Sequence, residues 1–265
     1  MIFQRLIFSA LAAALLVGSV QSGVQQWQAV PIILAAEQYE DLKLEAPVAL
    51  EPATLVQTEA AAHDHATEAW APADGTERVV WTWVANVLHA FSMALLVLAV
   101  MGVCLWRGTA LRPVPLALWT AAAGWLVFHF WPSLGLHAEI PGMDAARLGS
   151  RQGWWLLAAV SAALACAVAA GLRSPLRWVA AAAWLALPFV VGAPHISADP
   201  LAGFSGEAQT ALRALGTQFI WATTWVSLSF WACMAVACGL AFQRWLRPSL
   251  AGAFTRAIPV PGLQP

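Results

Sequence analysis

The chain has 265 residues, 60% of them hydrophobic and 10% charged, with a net charge of −1 and a mean hydropathy of +0.69. A soluble domain of this length does not need so much apolar surface, and apolar runs of about 20 residues have the length of a bilayer-spanning helix. The sequence has no GxxxxGK[ST] loop, no HExxH helix, no GxSxG elbow and no CxxC pair, so it does not read as a P-loop NTPase, a zincin, an α/β-hydrolase or a zinc knuckle.

Residues 6–20, behind Arg5, form the first apolar stretch. They suit either a signal peptide cut after Ser22 or an uncleaved first helix. Apolar character resumes over residues 30–36 and favours the uncleaved helix, which gives an N-terminal element of residues 1–36. Residues 37–59 are acidic, lack sustained periodicity and read as a linker. The stretch AAAHDHATEAWAPADGTERVVWTW (60–83) follows and completes a long loop, residues 37–83. Further apolar runs lie at 84–106, 114–134, 153–172, 176–193 and 216–242, a five-helix bundle over residues 84–242. The turns RGTALRP and RSPLR make two pairs of these runs antiparallel hairpins. Residues 243–265, with four prolines after Arg247, read as a disordered tail. Cys104, Cys166, Cys233 and Cys238 all lie inside apolar runs and read as packing residues.

The expected fold is therefore all-α, a polytopic helical membrane protein. It has about six transmembrane helices, or five if the N-terminus is cleaved. In lipid a helix satisfies its own backbone, whereas barrel strands would be short and alternating. The expected surroundings are a lipid bilayer, and nucleic acid is not an expected partner.

Basic residues in short loops set the orientation. With Arg5 in the cytoplasm, Arg107, Arg112, Arg173, Arg177, Arg244, Arg247 and Arg256 join it there, and Lys43, Arg78, Arg147, Arg151 and Arg213 fall outside. All fourteen Asp and Glu also fall outside. Such a field attracts cations to the outer mouth. Trp81, Trp83, Trp131, Trp154, Trp155 and Trp221 mark the outer boundary, and Trp106, Trp178 and Trp245 the inner one.

Two groups of residues could handle a metal. His63 and His65 flank Asp64, with Glu68 close by. Imidazole and carboxylate suit Co, Ni and Zn, and residues two apart share a side of an extended segment. The plain alternative is a solvated loop with incidental histidines. His89 and His129 lie within spans, where polar groups are costly and are functional candidates. They sit about 18 residues before and 16 after the loop at 107–113, or roughly 27 Å and 24 Å along their helices. At that common depth they could share one ion, with oxygen from Asn86, Glu139 or water. The alternative is that each His bonds a neighbouring helix. His137 and His195 each follow a span on the acidic side.

Several blocks in order resemble a known family: PIILAAEQYE (31–40), EAWAPADGTER (68–78), LGLHAEIPGMDAARLGSRQGWW (134–155), ALPFVVGAPH (186–195) and SLSFW (227–231). The chain resembles the CbtA-type cobalt transporter subunits of bacteria. The resemblance implies cobalt uptake for cobalamin synthesis across the bacterial cytoplasmic (inner) membrane. It also implies a small single-span CbtB-type partner with a His-rich tail. Family members often carry a longer His run in the first loop, and this chain keeps only His63-Asp64-His65.

The expected function is passage of Co(II), with Ni(II) or Zn(II) possible, and neither catalysis nor a permanently bound cofactor. His63, Asp64, His65 and Glu68 would capture the ion, His137 and His195 would flank the mouth, and His89 and His129 would be the first ligands in the membrane. Two rivals are a membrane cytochrome with His89 and His129 as axial haem ligands, and a non-transporting metal sensor or assembly factor. A Soret band would identify the first, and absence of flux in vesicles the second.

Overall fold

A computed structural model describes residues 2–45, 72–204 and 206–250. Among the described residues every regular element is a helix: α1 (Ile2–Gln28), α2 (Val30–Glu45), α3 (Thr76–Trp106), α4 (Pro113–Trp125), α5 (Trp131–Ser133), α6 (Leu148–Gly171), α7 (Leu176–Val191) and α8 (Gly206–Ala241). A π-helical turn, Leu126–Phe130, joins α4 to α5, and a second, Phe242–Leu246, carries α8 on to Leu250.

Five helices are long and apolar enough to cross a membrane: Ile2–Gln28, Thr76–Trp106, Pro113–Ser133, Leu148–Gly171 and Gly206–Leu250. The sixth expected span, α7, is apolar but has only 16 residues. At 1.5 Å per residue that is about 24 Å, short of a hydrocarbon core of about 30 Å.

Several boundaries differ from the sequence reading: α6 begins at Leu148 rather than at 153, and α8 at Gly206 rather than at 216. Helix α2 continues to Glu45, through residues expected to be linker. Its segment AAEQYEDLKLE is made largely of good helix formers, and the next prolines, Pro47 and Pro52, lie beyond it. Helix α3 begins at Thr76 rather than at 84, with Glu77 in its first turn, where a carboxylate favours a helix N-terminus. The last helix continues past 242 to Leu250, into the expected tail.

Both π turns stand two residues ahead of a proline, Pro132 and Pro248. Proline has no N–H and its ring crowds the preceding turn. The wider turn shifts the ladder by one residue, so Trp131 N–H donates to Leu126 O and Arg247 N–H to Phe242 O. In α7 the break at Pro188 is treated differently. Trp131 Nε1 donates to Leu185 O at 3.1 Å, and Trp154 Nε1 donates to Pro188 O at 3.0 Å. Neighbouring side chains thus bond carbonyls around the break.

The bundle has a four-helix core. Helix α1 packs along α3 and α8, and α4 packs along α8. Small residues stand at the close approaches, with Ala10, Ala14, Ala90, Ala94 and Ala117 fully buried, and larger side chains such as Leu98, Met101, Met234 and Phe242 fill the core around them. A Cβ on Gly18 would come within 2.7 Å of the Val87 Cα, so α1 and α3 touch backbone to side-chain root. Lipid is as apolar as leucine, so close approach and van der Waals contact hold such helices together. Helices α6 and α7 form a separate hairpin. It leans on the π turn through Val127, Ala159 and Ala162, with Phe128, Trp131 and Leu185 around them.

The two ends of the bundle differ. At one end Arg5 Nη1 donates to Ser249 Oγ at 2.5 Å and Trp245 O at 3.4 Å, which ties the start of α1 to the end of the last helix. At the other end a second core forms from Ala36, Ile140, Leu201 and Leu212, with Ile32, Tyr39, Met143 and Phe204 around it. This head joins α2, the start of α8 and the loops that follow α5 and α7. The helix Gly206–Leu250 spans 45 residues, about 67 Å, so its first part stands well clear of the apolar layer and carries Leu212 into the head.

Candidate functional site

The seam between α1 and α3 is polar toward the head and apolar toward the other end. Trp83 Nε1 donates to Ser19 Oγ at 3.0 Å. Asn86, buried, donates from Nδ2 to Ser22 Oγ at 3.0 Å and to Gln25 Oε1 at 2.6 Å. Ser22 Oγ in turn donates to Gly18 O at 2.9 Å. Above this seam Arg78 forks onto Glu37, at 2.6 and 3.2 Å, and reaches Asp74 at 3.2 Å. These bonds fix the azimuth of α3, and with it the direction of His89, three residues beyond Asn86.

His89 sits at the surface of the bundle with its ring 5.2 Å from the ring of Phe230 on α8. His129 lies inside the first π turn, half-buried, with its ring 6.1 Å from Trp125. The turn rotates this residue away from the azimuth a regular helix would give it. Phe128 beside it stacks on Trp231 at 6.1 Å, and Trp231 meets Phe230 edge-on at 5.4 Å. The route from His89 to the π turn therefore runs across an aromatic pair on α8. No ring contact or hydrogen bond joins the two histidines directly. A π turn carrying a polar residue in a span is a frequent mark of a functional position.

The other expected residues are scattered. His137 is exposed between α5 and α6. His195 is exposed after α7, with Nδ1 2.8 Å from Ala193 O. Glu139 pairs with Arg151 at 2.5 Å, so it is not a bare oxygen ligand. The Asn86 amide nitrogen is committed to α1. Among the described residues no three of His, Cys, Asp and Glu converge. His63, Asp64, His65 and Glu68 lie outside the described residues. The cysteines are free thiols in apolar contacts: Cys104, Cys233 and Cys238 in the four-helix core, Cys166 on α6 within the hairpin.

Sequence reasoning missed the ion pairs of the head. Arg78 holds Glu37, Arg151 holds Glu139, and Arg213 holds Asp199 at 2.6 Å, with Gln209 donating to the same carboxylate at 3.2 Å. The only signal was the coexistence of both signs in the outer segments, and the pairing is tertiary. These guanidiniums offset part of the acidic field. Even so, Glu37, Glu40, Glu77, Glu139, Asp199 and Glu207 all belong to the head end, and among the described residues the opposite end has arginines and no carboxylate.

No curated protein and no solved structure matches the chain. A family model does match, that of CbtA, a probable cobalt transporter subunit, over residues 3–243. That range runs from the first turn of α1 into the second π turn and takes in both the head and the bundle. A several-helix membrane bundle with its carboxylates at one end suits a subunit that handles a cation, and the chain belongs to the CbtA family of probable cobalt transporter subunits.

Proposed function

We propose that this subunit passes Co(II) through the bacterial cytoplasmic membrane toward cobalamin synthesis, with its acidic head outside. The observation that carries the reading is the separation of charge along the bundle: described carboxylates at the head, arginines without carboxylates at the other end. The head raises the local concentration of a divalent cation. His63 and His65, with Asp64 and Glu68, capture the ion, and His137 and His195 stand beside the mouth. His89 and His129 are the first imidazoles met in the membrane, and their approach goes with a shift of the α8 aromatic pair that separates them. A small single-span CbtB-type subunit with a His-rich tail completes the transporter. Imidazole binds nickel and zinc as readily as cobalt, so selectivity lies in the path rather than in the ligand type.

Uptake of labelled cobalt by cells with and without this chain, in competition with nickel and zinc, tests the reading. Cobalt entry that requires the chain is expected. His89→Ala or His129→Ala should each remove most of the flux, and the double variant should add little. Equal uptake with and without the chain would sink the proposal. Additive losses of protein abundance, with normal flux per molecule, would reject the shared histidine site alone.

A further inference from the structure

The end of the bundle away from the head carries Arg5, Arg107, Arg177, Arg244 and Arg247, with no carboxylate among the described residues there. Arg5 is occupied by Ser249 and Trp245 O, and Arg177 lies over the Trp178 ring at 4.8 Å. Arg244 and Gln243 are different: both are exposed and make no hydrogen bond or ion pair within the described residues. They sit in the second π turn, beside Trp245 and Pro248, at the mouth of a groove of about 720 Å³ between α1 and the last helix. The groove continues toward the middle of the bundle over Ala12, Ala13, Leu16, Ala237 and Leu240. On the last helix the lining extends from Pro248 back to Ala237, eleven residues, so the groove runs on the order of 16 Å toward the apolar layer.

We propose that this groove seats one anionic phospholipid, with its phosphate on Arg244, Gln243 and the Trp245 indole and an acyl chain along Leu16, Ala237 and Leu240. The mouth presents donors: a guanidinium fork that matches phosphate geometry, a carboxamide and an indole N–H. The floor presents only hydrocarbon. That order, donors at the membrane boundary and an apolar channel leading inward, is the polarity of a phospholipid. Basic pockets between membrane helices are seats for anionic headgroups. Among the described residues no carboxylate lies at this end, so the arginine charge is left to be met from outside them. A helix of a partner or of a second copy would fill the channel but leave the donors at the mouth unmatched unless it brought an acid there.

Native mass spectrometry of the full-length chain released from detergent tests this. Phosphatidylglycerol and phosphatidylcholine with the same acyl chains are supplied in equal amounts. The phosphatidylglycerol adduct should exceed the phosphatidylcholine adduct by about five-fold, the preference one surface arginine confers. Arg244→Gln should bring the ratio close to one. Ala12→Phe, at an exposed position on the groove wall, should reduce both adducts while leaving the bundle core untouched. Equal retention of the two lipids, or a ratio unchanged in Arg244→Gln, overturns the proposal. A dimer that forms on delipidation and is lost in Ala12→Phe assigns the groove to a second helix and overturns it as well.

Discussion

The bundle and the head are parts of one chain held together by different forces. In the four-helix core alanines and glycines stand where the helices approach closely, among larger buried side chains such as Leu98, Met101, Met234 and Phe242, and the approach of α1 to α3 is limited by the Val87 backbone. In the head the contacts are made by Ile140, Leu201, Leu212 and Phe204, and three guanidinium–carboxylate pairs tie the segments. The difference follows from the solvent. Lipid supplies no hydrophobic force between helices, so close fit must do the work. Water drives the head residues together at about 1.5–3 kcal/mol for each large side chain fully buried. A membrane protein with a water-facing cap thus needs two cores with different compositions, and this one has both.

Four substitutions break or sharpen that contrast. The largest effect is expected for Gly18→Leu. Its side chain meets the Val87 backbone, which cannot move without displacing α3, so the loss should exceed about 3 kcal/mol. No monodisperse protein should be recovered by size-exclusion chromatography. Normal recovery would mean the small-residue contact is not what sets the helix spacing. Leu212→Ala comes next. It opens a cavity in the head at a fully buried position and should cost about 2–3 kcal/mol, since a small core can partly collapse. Limited proteolysis should then cut the head while the spans stay protected.

Asn86→Ala is the third. It removes both bonds to α1 in the seam, at about 1 kcal/mol, near the upper part of what hydrogen bonds in membranes contribute. Thermal unfolding in detergent should show the loss, with the same shift at low and high salt. Arg78→Ala is the smallest. Its pair with Glu37 is about one-third exposed on both sides, so about 0.5 kcal/mol is expected. Here the difference from wild type should shrink as salt is added, because an exposed pair is screened. A salt-independent loss would mean that Arg78 acts through packing instead.

The spans were legible because an apolar run of membrane length has few other uses. The sidedness of charge was legible as well, since each carboxylate lies in a segment whose side follows from counting spans. Helix ends were not. Residues 37–45 look like linker when only periodicity is considered, because the α2 residues on the head core, Ile32, Ala36 and Tyr39, lie mostly before that stretch. Proline disturbs a helix ladder, but whether it is held inside a continuous helix, as at Pro188, or follows a π turn, as at Pro132 and Pro248, is decided by neighbours. For the candidate site the sequence placed His89 and His129 at similar depth, which is arithmetic along two helices. It could not place Phe230 and Trp231 between them, because that needs the rotation of three helices about their axes. The head core was invisible for a similar reason. Ile140 and Leu201 sit in loops with no period at all.

The last helix runs from the head to the far end with one π turn, Phe242–Leu246, near its close. Leu212 is packed in the head, and Ser249 receives the Arg5 guanidinium, with 37 residues, or roughly 55 Å, between them. A rigid lever of that length converts a tilt of a few degrees at one end into a displacement of several ångströms at the other. The first joint on the way to the Arg5 contact is the π turn at Phe242–Leu246, whose bonding pattern differs from that of the helix before it. A tilt of this helix at the head is therefore carried to the arginine end along covalent backbone, through that five-residue turn.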